Sequence, residues 1–334
     1  MRRPSLVAVT MNVRRARITS ARGGVNHRGR WWALLASTLV LAGCAGTAPA
    51  PVTDNRTPLV FGLGADLGAS ARLVAARAES AEVVYLGELH DNPQHHAIQA
   101  RILEALLAAG ARPALAFEMV PETRQAALEA AVQSDAGPAE VDRQLGWSAQ
   151  GWPDFAMYWP LFELARKHQL PVMGTDLDPA VARRIGRDGL GAAGPDPARL
   201  RSALRDDPVR DQAIARRLRA AHCDQITEDR ATRMLEGWYA RNVVIARRVS
   251  GGLERASQVV VIIGRGHQSP GGVPEQLGAL RPGTRQLVVG LFEGEADGPT
   301  EPLSDVAWVT PGRPHPNPCL TLPQRLGSLG RVRP

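Results

Sequence analysis

The apolar run Val83–Leu86 closes on Gly87-Glu88-Leu89-His90, and a second run, Val259–Ile263, closes on Gly264-Arg265-Gly266-His267. Short β-branched runs that are apolar on both faces suit a strand buried in a parallel sheet. Three more runs of this kind follow the same pattern: "PALAFEM" (113–119), "LPVMGTDL" (170–177) and "RQLVVGLFEG" (285–294). Helical segments alternate with them. In "NPQHHAIQARILEALLAAG" (92–110), Asn92 is suited to the N-cap, Pro93 to the first turn and Gly110 to the stop, with Ile98, Ile102 and Leu106 on one face. "ETRQAALEAAV" (122–132) and "DPAVARRI" (178–185) are further helices. The expected fold is α/β: a mostly parallel central sheet flanked by helices. Residues 140–168 and 197–250 break the alternation and are expected to form a smaller helical subdomain.

The length, 334 residues, fits one large or two modest domains. The formal charge of +7 misleads. Residues 1–43 carry eight Arg and no Lys, Asp or Glu; removing those eight charges leaves −1 for residues 44–334. A nucleic-acid partner therefore loses its electrostatic basis. The same 43 residues read as an export signal: an Arg-rich start, with Met11 an alternative first residue, then "WWALLASTLVLAGC". Leu41-Ala42-Gly43-Cys44 has the pattern of a lipobox, whose thiol takes a diacylglycerol thioether and whose neighbours are small enough for the peptidase. The expectation is a lipoprotein acylated (palmitate) at Cys44, held in the cell envelope at the outer membrane and facing the periplasm. An uncleaved anchor is the alternative. Residues 44–60, rich in Ala, Thr and Pro, read as a flexible tether, 61–300 as the α/β domain, and 301–334 as a Pro-rich surface tail. Export exposes Cys223 and Cys319 to an oxidising compartment, where they either bridge or remain free thiols.

Sites in open α/β sheets form at the C-terminal strand ends. Glu88, His90, Glu118, Asp176 and His267 all fall there. Two imidazoles with a carboxylate are a donor set for a divalent metal that activates water. The same groups, without metal, make a general base. The plainer reading has the histidines capping strands and bonding loop backbone. His95 and His96 read as a solvated first helical turn, the alternative being that they join the strand-end site, and His222 and His168 read as helix-end residues, His222 suited to the dipole. A separate stretch concentrates aromatics: Trp147, Trp152, Phe155, Tyr158, Trp159 and Phe162 lie within sixteen residues of a chain that is 4% aromatic. Helical spacing puts Phe155, Tyr158, Trp159 and Phe162 on one side. Most are expected in the core; the alternative is an apolar pocket with one phenol, and Tyr is an axial ligand of ferric haem in some proteins.

The segments "GELHDNPQHHAIQARIL", "WPDFAMYWPLFELARKHQLPV", "AAHC", "GRGHQSPGGVP" and "DVAWVTP…PNPC" occur in the order found in the ChaN-like haem-binding lipoproteins, and the chain resembles that family over roughly residues 60–320. The wider superfamily includes the Tiki proteases and erythromycin esterases, which share the strand-end G-x-x-H. The resemblance implies an iron-acquisition lipoprotein that binds haem, acts with haem-uptake machinery and pairs into a homodimer. It implies Tyr158 as the iron ligand, with Tyr239 the runner-up and Tyr85 structural. His168 is the candidate assisting histidine, with Trp159 and Phe155 beside the haem. His90, His267, Glu88 and Glu118 form a secondary site, catalytic if the chain is a hydrolase. Two departures fall near the strand ends. Asp176 stands where relatives carry Asn, and "EGWYARN" (236–242) replaces a Gln-containing pattern.

Overall fold

The computed structural model describes residues 58–204, 206–294, 304–315 and 319. The expected signal segment, Cys44 and all but the end of the tether lie outside these residues. The strands are β1 (Leu59–Phe61), β2 (Val83–Glu88), β3 (Ala114–Pro121), β4 (Val172–Asp176), β5 (Val259–Gly264), β6 (Gln286–Gly294) and β7 (Val306–Pro311). They form one sheet, every neighbouring pair parallel, in the order β1-β7-β6-β2-β5-β3-β4. The helices are α1 (Leu67–Arg77), α2 (Pro93–Ala108), α3 (Gln125–Gln133), α4 (Pro138–Leu145), α5 (Trp159–Lys167), α6 (Pro179–Asp188), α7 (Pro208–Ala221), α8 (Glu228–Gly252) and α9 (Val273–Leu280).

Side chains alternate across a strand, so each central strand feeds two cores. Val84, Leu86, Leu115, Phe117, Val260 and Ile262 pack with α1, α2, α3 and α5 on one face. Val83, Tyr85, Ala114, Ala116, Val261 and Ile263 pack with α8 and α9 on the other. The expected start of α2 holds: the Asn92 side chain accepts from the Gln94 and His95 amides, and Pro93 opens the helix.

The expected helical subdomain is only partly separate. Trp147, Phe155, Tyr158, Leu161 and Phe162 belong to the first core, and the C-terminal half of α8 lies on the sheet through Ile245, Ala246 and Val249. Only α6, α7 and the first half of α8 make satellite clusters, around Ile185 and around Ile214 with Leu235 and Tyr239. Residues 301–334, expected as a surface tail, contain β7, which pairs with both β6 and β1. Its short run, flanked by prolines, hides an alternation in which Val306 and Trp308 face the first core.

Consecutive positions explain where a cleft opens. The chain leaves β2 and β3 for helices on one face (α2, α3) and leaves β5, which lies between them, for α9 on the other. Loops that part in opposite directions leave a crevice at the carboxyl ends, the topological switch point of an open sheet. Both G-x-x-H segments sit at this point. Among the described residues no helix is long and apolar enough to cross a membrane.

Cys223, at the end of α7, is bonded to Cys319, with 5.5 Å between Cα atoms and 96 residues between them in sequence. Closing so long a loop lowers the entropy of the unfolded chain. Cys319→Ser is expected to cost about 2–4 kcal/mol in urea unfolding, and adding reductant to the parent protein should reproduce the loss.

Candidate functional site at the strand ends

Glu88 is the last residue of β2 and its carboxylate is fully buried. Four side chains reach it. The Tyr158 hydroxyl donates to Oε1 at 2.5 Å, and Gln99 Nε2 donates to Oε2 at 2.5 Å. His90 Nδ1 lies 2.9 Å from Oε1, and His96 Nδ1 3.3 Å from Oε2. Burial alone would raise the Glu88 pKa, but hydrogen bonds and charge from His90 and His96 outweigh it and bring the group to about 2. The same contacts, against the desolvation that lowers them, raise His90 and His96 above the ordinary imidazole value.

A second buried carboxylate, Glu118 on β3, mirrors the first across β5. Its Oε2 accepts the Gly264 amide at 2.6 Å. Its Oε1 receives Arg241 Nη2 at 2.7 Å and lies 3.1 Å from His267 Nε2. Here too burial pushes the pKa up, yet His267, His90 and Arg241 hold it well below the usual range. Arg241, on α8, also forks onto Asp176, with Nε to Oδ1 and Nη2 to Oδ2 both at 2.8 Å. His267 Nδ1 lies 2.5 Å from Asn242 Oδ1, and Trp238 stacks parallel to the imidazole with centroids 6.3 Å apart.

Glycine is required at both strand ends. A Cβ on Gly264 would stand 2.6 Å from His90 Nε2, and one on Gly87 would stand 2.1 Å from Gln268 Oε1. The G-x-x-H spacing therefore lets a neighbouring side chain lie flat over the strand end.

Glu88, His90, Glu118, Asp176 and His267 thus converge as expected, and His96 joins them. The first-turn pair is not solvated: His95 is also buried, with Nδ1 accepting the Leu89 amide and Nε2 3.2 Å from Thr310 Oγ1. Burial holds its pKa down at about 4. The expected haem residues are placed differently. Tyr158 is 0% exposed and donates to Glu88, and burial followed by the Glu88 charge raises its pKa, so the phenol is held protonated. Tyr85 is 0% and Tyr239 2% exposed, and Tyr239 donates to Asp211 Oδ1 at 2.8 Å. All three tyrosines of the chain are therefore inside. His168 caps the far end of α5, where the chain turns into β4, so the helix carries it away from the strand-end site. Phe155 is core, and Trp159 packs on Phe155 and under the Arg166 guanidinium.

The divalent-metal expectation is corrected. Among the described residues no group of three His, Cys, Asp or Glu side chains is placed to hold a metal ion. The carboxylates between His90 and His267 are already occupied, and a guanidinium stands where the cation would.

Arg241, Asn242 and Gln99 were not singled out from sequence, and Trp152 only as one of the clustered aromatics. The departure "EGWYARN" contains the first two, and Arg241 from it pairs with Asp176. Gln99 lies one turn beyond His96 on α2, a spacing that could have found it.

His90 alone among these histidines has a ring nitrogen without a hydrogen-bond partner. Its Nδ1 is held by Glu88, its side chain is 30% exposed, and its ring meets Trp152 edge-on at 4.9 Å. Trp152 in turn walls a cleft of about 640 Å³ whose floor includes Met119, Asp176, Leu177 and Arg241. A larger hollow of about 780 Å³, lined by Arg72, Ala105 and Gln258, opens at the opposite, amino-terminal ends of the central strands and holds none of these groups.

The fold and site define a three-layer α/β/α protein with paired buried carboxylate–histidine centres at its switch point. The family profile described as haem-binding uptake, Tiki superfamily, ChaN matches residues 74–277, and the chain belongs to that family. Among solved structures it is similar to the one described as cofacial haem binding to ChaN of Campylobacter jejuni, with 20% identity, a TM-score of 0.53, and coverage of 67% of this chain and 86% of that one. An erythromycin esterase, a mutant EreC in its open conformation, is 14% identical with a TM-score of 0.43, over 70% of this chain and 76% of that one. The type III effector HopBA1 is 16% identical with a TM-score of 0.44, over 79% and 100%. No curated protein matches the sequence.

The ion pairs set a pH window. Glu88, depressed from 4.5 to about 2, contributes stability that is full above pH 4.5 and lost as the pH falls toward 2. His90 and His96, raised from 6.5, contribute stability that is full below 6.5 and lost as the pH rises through their folded values. Melting temperature against pH should peak between these limits. Glu88→Gln should flatten both flanks; a profile unchanged by that substitution contradicts the assignment.

Proposed function

We propose that the chain is a haem-binding protein of the cell envelope and that haem enters the strand-end cleft beside His90. Membership of the haem-binding uptake family supports the ligand, and one observation carries the place. His90 has a carboxylate-anchored Nδ1 and an Nε2 without a hydrogen-bond partner, and its ring meets Trp152, which walls the neighbouring cleft. A carboxylate on one ring nitrogen fixes the tautomer and raises the basicity of the other, the usual arrangement of an iron-ligating histidine. When bound, haem would supply a ferric centre that takes a ligand from the protein. The residues present fit its periphery and an imidazole ligand; they do not fit tyrosinate ligation, because Tyr158 is buried and its proton is committed to Glu88. Trp152 would cover the porphyrin, and Glu88 would hold His90. Acylation at Cys44, a homodimer and delivery to uptake machinery belong to the same proposal and rest on the sequence pattern and the family resemblance.

A second reading draws on the same dyad. His90 with Glu88 is a general base whose carboxylate orients the imidazole, and Arg241 beside Glu118 offers a cation to a developing oxyanion. On this reading the chain hydrolyses an ester without a metal.

Titration of the purified domain with haemin separates the two. Haem binding through His90 predicts a Soret shift that survives Tyr158→Phe and is lost or moved in His90→Ala. A shift abolished by Tyr158→Phe in a protein that remains folded returns the ligand to the tyrosine. No shift, together with ester hydrolysis abolished by His90→Ala, selects the hydrolase. Tyr158→Phe should also cost about 1–3 kcal/mol in stability, because Glu88 loses a donor in a buried site.

A further inference from the structure

The cleft beside the site has more to recognise than an iron ligand. Its walls are Trp152 with Ala149 and Gln150 on one side and the first turn of α6, from Pro179 to Arg183, on the other. Five charged side chains line it: Arg124, Arg183, Arg241, Asp176 and Asp178. Three are engaged. Arg241 and Asp176 neutralise each other. Asp178 caps α6, accepting the Ala180 and Val181 amides at 2.8 and 3.3 Å and the Thr123 hydroxyl at 3.2 Å. The remaining two are both cations. Arg124 makes one long hydrogen bond, 3.4 Å to the Gln144 carbonyl, and Arg183 has no partner among the described residues. Both are exposed at the rim.

An aromatic wall facing two uncompensated guanidiniums selects a flat apolar body that carries anionic groups at its edge. Guanidinium is the side chain best matched to carboxylate, through paired N–H donors. We infer that Arg124 and Arg183 are the specificity-determining cations of this cleft and take the two propionate carboxylates of haem, while Trp152 covers the ring. This rests on the haem-binding reading above. It adds that the protein recognises the anionic edge of the porphyrin and not the iron alone.

The test compares three porphyrins on the full domain in the same mild detergent: haemin, its dimethyl ester, in which both propionates are masked, and iron-free protoporphyrin. Wild type is expected to bind haemin about tenfold more tightly than the ester, with the preference shrinking as salt rises. Iron-free protoporphyrin should still compete, because its carboxylates are intact. Arg124→Glu with Arg183→Glu should erase the preference by weakening haemin alone, and the Arg→Lys pair should retain part of it. Unchanged circular dichroism and melting temperature check the fold, since both side chains are on the surface. Equal affinity of wild type for haemin and its ester, or undiminished haemin binding by the double Glu variant, overturns the inference while leaving haem binding intact. Absence of a Soret response to either iron porphyrin in wild type removes the haem reading itself, and the inference with it.

Discussion

One buried carboxylate organises this end of the molecule. Glu88 closes β2 with its side chain out of water, a placement costing several kcal/mol unless its oxygens are satisfied. Tyr158 and Gln99 donate to it, and His90 and His96 complete the shell. These four groups come from three pieces of structure. Gln99 and His96 are on α2, His90 is on the loop between β2 and α2, and Tyr158 sits at the start of α5. Satisfying Glu88 therefore docks α2 and the aromatic segment onto the sheet edge, which fixes the position of Trp147 against Tyr158 and of Trp152 against His90. An apolar residue at 88 would remove the cost of burial, but it would also remove the only group that orients His90.

Glu118 repeats the arrangement on the far side of β5, with different partners. There the charge is met by a fixed cation, Arg241, as well as by His267 and a backbone amide. The two centres meet over Gly264, which bonds one carboxylate through its amide while the imidazole of the other lies across its Cα. This is why a small residue must end β5. It is also why the two G-x-x-H segments, though alike in spacing, do different work. His90 keeps one nitrogen free, whereas both nitrogens of His267 are spent within the protein.

Much of this was legible in the sequence. The five long strands, the Asn92-Pro93 helix start and the convergence of Glu88, His90, Glu118, Asp176 and His267 follow from strand periodicity and from the rule that open-sheet sites gather at carboxyl ends. The chain's family was legible from short motifs in a fixed order. What could not be read was pairing between distant elements. β1, three residues long, is too short to show a period, and β7, though as long as β2, lies among prolines. Arg241 falls on a long Arg-rich helix, and its carboxylate partners, Glu118 and Asp176, come from distant strands. His95 and His96 read as a wet helix start because their cover, from Thr310 and Tyr158, comes from more than sixty residues away.

Tyr158 is the instructive case, because its chemistry was identified and its direction was not. A phenol ligates iron as phenolate, so it needs surroundings that lower its pKa and a free line of approach. Beside Glu88 it has neither. The carboxylate is the stronger acid and is ionised, so the proton between them stays on the phenol, and desolvation adds to the bias. Turning Tyr158 outward would leave Glu88 one donor short and strip Trp147 and His96 of a ring contact. His90 faces the reverse balance. Its hydrogen bond to Glu88 is made by Nδ1 and leaves Nε2 without a hydrogen-bond partner, so using Nε2 requires no loss of the contact that positions the ring. Among the histidines of this site, the one free to act is the one whose anchoring contact uses only half of its bonding capacity.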